Sequence, residues 1–278
     1  MSENGITESR TFIAALIVTF NPDERLFLSL ESVQSIASQI VIVDNASGSK
    51  IFMSRLKSDF NKNNITILEL HTNLGIAGAL NYGVEYIKSN FKVDYVLTLD
   101  QDTVIVRQDI STVIIEANQM FDKIGIIALG TMKIEKTVDY REIKYVITSG
   151  NLVLMEIFNM IKFREEFFMD QIDFDFDYEV RRHGYRIILA EGFFIEHRLG
   201  IKFGKLLYEP PSRMYYIIRN SIVLFMERKL PLTNFASQII YWSLSSMFHD
   251  GIIKFSRVLI KGIIDGLTRK LGHAKSEM

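Results

Sequence analysis

Residues 12–20 read FIAALIVTF, an unbroken apolar run rich in β-branched side chains that stops at Asn21-Pro22. A strand with one face in water alternates apolar and polar residues. A run without alternation predicts a strand covered on both faces, as in a parallel sheet packed between helices. The pattern returns in QIVIVD (39–44), ITILEL (65–70) and VDYVLTLD (93–100). Between these runs, residues 24–37 space Leu26, Leu30, Val33 and Ile36 as a helix does, and further helices are predicted near 50–60 and over 75–89. Strand and helix in alternation predict an open α/β sheet. With 48% hydrophobic residues in 278, the chain has material for one large domain, or one domain plus an appendage.

Ligands of such sheets bind outside the carboxyl ends of the strands. Polar residues collect there: Thr19 and Asn21 after the first strand, Asp44 and Asn45 after the second, Asn73 and Gly75 after the third, Asp100 and Asp102 after the fourth. Turn preference alone would place polar residues at both ends of strands, so a shared edge predicts a cleft. The turn HTNLGIAGALNYGV (71–84) either lets amides at a helix N-terminus approach an anion or simply starts a helix. It lacks the Lys-Ser or Lys-Thr pair of a P-loop and the spacing of the dinucleotide fingerprint, which disfavours an oxidoreductase.

The triplet Asp100-Gln101-Asp102 admits two readings, a strand-end turn or a metal site. The chain has no cysteine, so a metal must be held by oxygen or imidazole, an inventory that suits Mg²⁺ or Mn²⁺. A second acidic group lies in FREEFFMDQIDFDFDYEVRRHGYRI (163–187), where Asp170, Asp173, Asp175, Asp177 and Glu179 precede Arg181, Arg182 and His183. If this segment is helical, Asp170, Asp173 and Asp177 share one face. Acids at a helix start complement its dipole, yet so many like charges repel one another, which favours a task such as general base for at least one. His197 closes a predicted strand in AEGFFIEHRLG (190–200), as a structural residue or as a metal ligand.

The net charge of −1 conceals an asymmetry: residues 198–278 carry 13 Lys+Arg against 5 Asp+Glu, whereas residues 1–197 carry 19 against 28. A basic end suits an anionic partner such as a phosphate group or a membrane surface; no nucleic-acid partner is expected. The polar, acidic start MSENGITESR is not a secretory signal, so a cytoplasmic location is the default expectation. Residues 230–249 contain no charged residue, but Pro231, Asn234, Gln238 and four serines argue against a spanning helix. In residues 251–267, GIIKFSRVLIKGIIDGL, a stripe of Lys254, Arg257, Lys261 and Asp265 runs along an apolar helix. Such a helix either lies in a membrane interface or packs on the catalytic domain or a second subunit.

Taken in order, VTFNP (18–22), VDNAS (43–47), NLGIAGALNYG (73–83), LDQDT (99–103), TSGNL (148–152), FFMDQIDFDFDYEVRRHGY (167–185), EHRLG (196–200) and RMYYIIRN (213–220) resemble the family 2 inverting glycosyltransferases of GT-A fold. Within that family they are similar to bacterial rhamnosyltransferases that build surface polysaccharides (O-antigen or capsule). The resemblance runs from about residue 12 to about residue 270 and implies a Rossmann-like open mixed sheet flanked by helices, with a C-terminal helical extension. It implies a catalytic domain over 1–228 and a helical, basic amphipathic region over 229–278 that contacts membrane or a second copy. Donor contacts would come from Thr19, Asn21, Asp44, Asn73, Gly75, Asp100 and Arg219. Asp102 and His197 would hold Mg²⁺ or Mn²⁺, and Asp173 would be the base. Acceptor contacts would come from Ser149, Gly150, Asp170 and Asp175. The implied reaction moves L-rhamnose from dTDP-L-rhamnose to a polyprenyl-diphosphate-linked saccharide at the inner face of the cell membrane. Alternatives are a galactofuranose, glucose or galactose nucleotide as donor, or a nucleotide-binding α/β protein without catalysis. The chain departs from the family pattern at Asp175 and Phe176, where Glu followed by Trp or Leu is usual, and at Glu179, where Arg is expected.

Overall fold

A computed structural model describes residues 11–131, 138–192, 194–197, 201–203, 206–208 and 210–274. The acidic start of the chain, Arg198–Gly200 of the EHRLG motif and residues 275–278 lie outside the described residues.

The first half alternates as expected: β1 (Ile13–Thr19), α1 (Arg25–Val33), β2 (Gln39–Asp44), α2 (Lys50–Asp59), β3 (Ile65–Glu69), α3 (Gly75–Asn90) and β4 (Tyr95–Asp100). Helix α1 is shorter than its periodicity predicts; the chain tightens after Val33, whose carbonyl accepts from Ile36 and Ala37. The chain continues through β5 (Val104–Ile105), α4 (Ile110–Met120), β6 (Ile124–Leu129), β7 (Asp139–Ile143), β8 (Asn151–Leu154), α5 (Met155–Met160), a single 3₁₀ turn (Glu165–Phe167), α6 (Ile172–Arg182), β9 (Arg186–Glu191) and β10 (Ile195–Glu196). It closes with the hairpin β11 (Ile201–Phe203) and β12 (Leu206–Tyr208) and the helices α7 (Pro211–Met226), α8 (Leu232–Asp250) and α9 (Ile252–Leu267).

Eight strands form one mixed sheet in the order β3-β2-β1-β4-β8-β6-β9-β7, and the first four are parallel. Strand β8 runs antiparallel between β4 and β6. Registration brings the strand ends together: Thr19 stands opposite Asp44, and Val18 opposite Asp100. The expected rim is therefore one edge of the sheet. Both faces of the sheet are covered, which explains the unalternated runs: Ile13, Ala15 and Ile17 pack on one side, Ala14 and Leu16 on the other.

Helix α7 is buried from Met214 to Leu224, with Arg219, Asn220 and Ser221 among the buried residues, and it packs against α9 and, through Val223 and Leu224, against one of the two core clusters. Its packing revises the stripe expected on α9. Phe255, Val258, Gly262, Asp265 and Gly266 face inward; Gly262 approaches Ile218, and the buried Asp265 accepts from Tyr215 Oη at 2.7 Å. Ile253, Ile260, Ile263, Ile264 and Leu267 are left exposed. No helix among the described residues is long and apolar enough to cross a membrane.

Candidate functional site

The turn after β4 is braced from three directions. Ser149 Oγ accepts the Asp100 amide at 2.9 Å and bonds Thr103 Oγ1 at 2.7 Å. Gln101 Oε1 accepts from Thr19 Oγ1 at 2.9 Å and from the Phe20 amide at 2.8 Å, which ties the middle of the triplet to the end of β1. Arg25, from α1, donates to the Asp102 carbonyl at 2.7 Å and to Glu196 at 2.8 Å. Glu196 pairs with Val104 across the β5–β10 ladder, and that ladder carries His197 to the turn. His197 Nε2 then stands 3.2 Å from Asp100 Oδ2 and 3.6 Å from Asp102 Oδ1.

These three side chains offer ligand atoms within 4.8 Å of one another. Two carboxylates and one imidazole fit a divalent ion of the Mg²⁺ or Mn²⁺ type. Burial pushes the Asp102 carboxyl above its ordinary range, with the Asp100 charge adding to the effect and His197 opposing it. Burial opposes the charged form of His197, but its bond to Asp100 and the charges of Asp100 and Asp102 outweigh this and raise its pKa. The cluster is thus short of positive charge, and His197 Nδ1 is buried without a hydrogen-bond partner among the described residues.

Facing the cluster across the cleft is the start of α6. The segment before it holds three non-glycine residues at positive φ, Phe168 (67°), Asp170 (56°) and Gln171 (63°), a conformation costly for L residues. Long-range bonds hold it. Asn220 Nδ2 donates to the carbonyls of Phe167, Met169 and Asp170 at 3.1, 2.8 and 2.9 Å. Arg219 donates to the Phe167 carbonyl at 2.9 Å and to the Gly272 carbonyl at 2.7 Å, and Gly272 in turn donates to Glu166. Asn81 of α3 bonds both the amide and the carbonyl of Phe163. Gly75 (φ 74°) is required for the same reason: a Cβ there would lie 2.2 Å from the Phe168 carbonyl oxygen.

Asp173, in the first turn of α6, accepts the Phe174 amide at 2.9 Å. Burial drives its pKa up to about 7, the Phe174 bond opposing and the Asp170 charge adding. A carboxylate poised there exchanges a proton readily near neutral pH. Asp100, His197, Asp170, Asp173, Arg213 and Thr148 line one cleft of about 240 Å³. Arg213 donates to Asp170 at 3.0 Å.

Asp100, Asp102, His197, Asp170 and Asp173 therefore come together as expected. Asp44 lies on the same sheet edge, buried, with both oxygens oriented by Ser47; burial raises its pKa and the Ser47 bonds counter this. Asn21 is exposed beside it, its amide oxygen accepting from Gly48.

Other expected contacts are placed elsewhere. Arg219 is 0% exposed and spends its donors on carbonyls and Asn220, so it is not presented to a phosphate in the cleft. Among the described residues that line the cleft, the guanidinium is that of Arg213, six residues earlier on α7. Asp175 points away from the cleft into a network with Lys229 (2.6 Å) and Arg164 (3.8 Å). Glu179, where Arg is expected, bonds the same Lys229 at 3.0 Å. Gly150 is buried, with φ 88° and Ile195 Cδ1 2.5 Å from where a Cβ would stand. Ser149 is committed to the turn after β4 and borders a separate pocket of about 220 Å³. The Thr19 hydroxyl is taken by Gln101. Asn73 Oδ1 accepts from Asn45 and from the Gly75 amide, which leaves that amide closed to an anion.

The roles of Arg25, Asn220 and Arg213 escape sequence reading because each acts across a long separation; the run Arg219-Asn220 within RMYYIIRN shows only that a polar pair interrupts an apolar stretch.

Residues 15–178 match the family described as glycosyl transferase family 2. No curated protein matches the sequence. The solved structure of S. aureus TarS 1-349 in complex with UDP-GlcNAc is similar at 14% identity and TM-score 0.65, over 93% of this chain and 81% of that one. Mannosyltransferase PcManGT from Pyrobaculum calidifontis, in complex with GDP-Man and Mn²⁺, is similar at 12% identity and TM-score 0.62, over 95% and 89%. GalNAc-T7 with UDP, GalNAc and Mn²⁺ is similar at 11% identity and TM-score 0.60, over 87% and 57%. What these structures share with the chain is the GT-A fold.

Proposed function

The chain belongs to glycosyl transferase family 2, and from that premise we propose that it moves a sugar from a nucleotide donor to an acceptor hydroxyl with inversion. The observation that carries this reading is a single cleft bounded by Asp100 and His197 on one wall and by Asp173 on the other. Asp44 and Asn21 would receive the nucleoside at the sheet edge, and Arg213 would meet the diphosphate. Asp100, Asp102 and His197 would hold Mg²⁺ or Mn²⁺, and a cation there neutralises charge that builds on the departing diphosphate. Asp173 would accept the acceptor hydroxyl proton as that oxygen bonds C1 and the C1–O bond to the diphosphate breaks on the opposite face. With a pKa of about 7, it is ionised and competent above neutrality, and transfer should fall as pH drops through about 7.

The donor proposed is dTDP-L-rhamnose and the acceptor a polyprenyl-diphosphate-linked saccharide, on the strength of the motif resemblance. The exposed Ile253, Ile260, Ile264 and Leu267 beside Lys254 and Arg257 support a peripheral membrane contact by α9, with association of two copies as the other use of that face. The division at residues 228/229 is retained as a proposal about this region.

The test is calorimetry and hydrolysis with Mn²⁺ and a panel of nucleotide sugars, including dTDP-rhamnose and the galactofuranose, glucose and galactose donors. Metal-dependent binding of one donor is expected. Failure of every donor to bind in the presence of metal overturns the transferase reading.

A further inference from the structure

Asp173 and Thr148 line not only the cleft but also a second, much smaller cavity, whose walls include Thr98, Asn151, Phe176 and Asp177. About 10 Å³ of it is open to the centre of a water molecule, close to the least space that holds one water. Asp177 follows Asp173 by one helical turn, is 2% exposed, and accepts the Val146 amide at 2.6 Å. Asn151 is 4% exposed; its Nδ2 donates to the Ile147 carbonyl at 2.7 Å, while its Oδ1 has no hydrogen-bond partner among the described residues. A buried amide oxygen left unpaired is destabilising, and a water donating to it removes that cost.

The charged groups that face this pair are few. Asp170 and Arg213 act on Asp173 from the cleft side, and Arg181 acts on Asp177 from the next turn of α6. Arg181 itself is stacked over the Tyr145 ring at 4.8 Å. Two carboxylates on one helix face in surroundings this dry do not both ionise near neutral pH, because each charge loses its hydration and repels the other. Asp177 is the one enclosed on all sides, whereas Asp173 opens to the cleft, so the proton rests on Asp177.

We infer that Asp177 is a positioning residue for Asp173: as a neutral acid it donates to one water in the small cavity. That water donates in turn to Asn151 Oδ1 and to a carboxylate oxygen of Asp173. The relay fixes the carboxylate and leaves its other oxygen free towards the cleft. This rests on the reading of Asp173 as the base. Burial, reinforced by the Asp173 charge, raises the Asp177 pKa well above the carboxylate range, in keeping with the arrangement.

The test is a carbon-13 titration of the full chain labelled at aspartate Cγ, with the two signals assigned by Asp173→Asn and Asp177→Asn. It needs neither donor nor acceptor, so it reads the pair even if no nucleotide sugar binds, and failure of the transferase reading is seen separately. In the unaltered protein, Asp177 should show the shift of a carboxylic acid at pH 7; a carboxylate shift there overturns the inference without any variant. Asp177→Asn keeps a donor to the water, so the Asp173 midpoint should stay within about 0.3 units. Asp177→Leu removes the donor and should raise that midpoint by about one unit, a tenfold change in proton affinity. If Asn lowers the midpoint by about one unit, Asp177 was a like charge; if Leu leaves it unmoved, Asp177 only packs. Either result refutes the relay.

Discussion

The two walls of the cleft are built by opposite means. On the Asp100 wall, neighbouring parallel strands end in register, and backbone ladders set Thr19, Asp44 and Asp100 side by side. On the Asp173 wall, a short segment in an unfavourable conformation is held by Asn220, Arg219 and Asn81, from elements fifty or more residues away in either direction. The first wall is rigid because hydrogen bonds repeat along it. The second is rigid only while several single contacts persist together, so a change far from the cleft can displace Asp173 and leave the Asp100 wall intact.

The largest effect should come from Asp173→Asn, which is expected to lower transfer by about 10³-fold with donor binding nearly unchanged. An equal loss of donor binding would place Asp173 on the other wall. Its folded pKa is raised from 3.8 to about 7, so the stability Asp173 contributes is fully present in acid and is lost as pH rises between these values. Thermal melting should show Asp173→Asn more stable than wild type at pH 8, with the gap narrowing at pH 5. Next, Asp102→Ala should weaken metal-dependent donor binding by about 100-fold in calorimetry while a non-metal component persists. An unaltered response to metal would remove Asp102 from the ligand set.

Asn220→Ala tests the contrast directly. Freed of its clamp, the segment before α6 should relax, and kcat should fall by about tenfold while donor affinity holds. If both fall together, the walls are not independent. The smallest effect is expected from Ile260→Lys with Ile264→Lys, which should weaken binding to anionic vesicles by about fivefold without altering turnover of a soluble acceptor. Unchanged vesicle binding with a shift in oligomeric state would assign that face to a second copy.

How legible each wall was in the sequence follows from the same contrast. Runs such as FIAALIVTF state their own burial, and polar residues at their ends state the rim; register then does the rest. The motif over 73–83 was legible as a motif, but its glycines serve packing: Gly75 beneath Phe168, and Gly83, where a Cβ would lie 2.3 Å from Leu16 Cδ1. The acid spacing reads as a helix, and α6 spans Ile172–Arg182, so Asp173 and Asp177 lie one turn apart on it, whereas Asp170, expected on the same face, stands before the helix at positive φ. What spacing cannot convey is which acid faces which cation. Asp175 is absorbed by Lys229, and Arg219 by backbone carbonyls, because pairings across more than fifty residues leave no local pattern.

The bond network around Glu166, Arg219 and Gly272 also imposes an order in time. During synthesis the parallel strands of the rim emerge first and can pair within about a hundred residues of chain. The base segment must wait for α7, and then for Gly272, before its conformation is held. A ribosome-bound chain would thus acquire the Asp100 wall of the cleft well before the Asp173 wall.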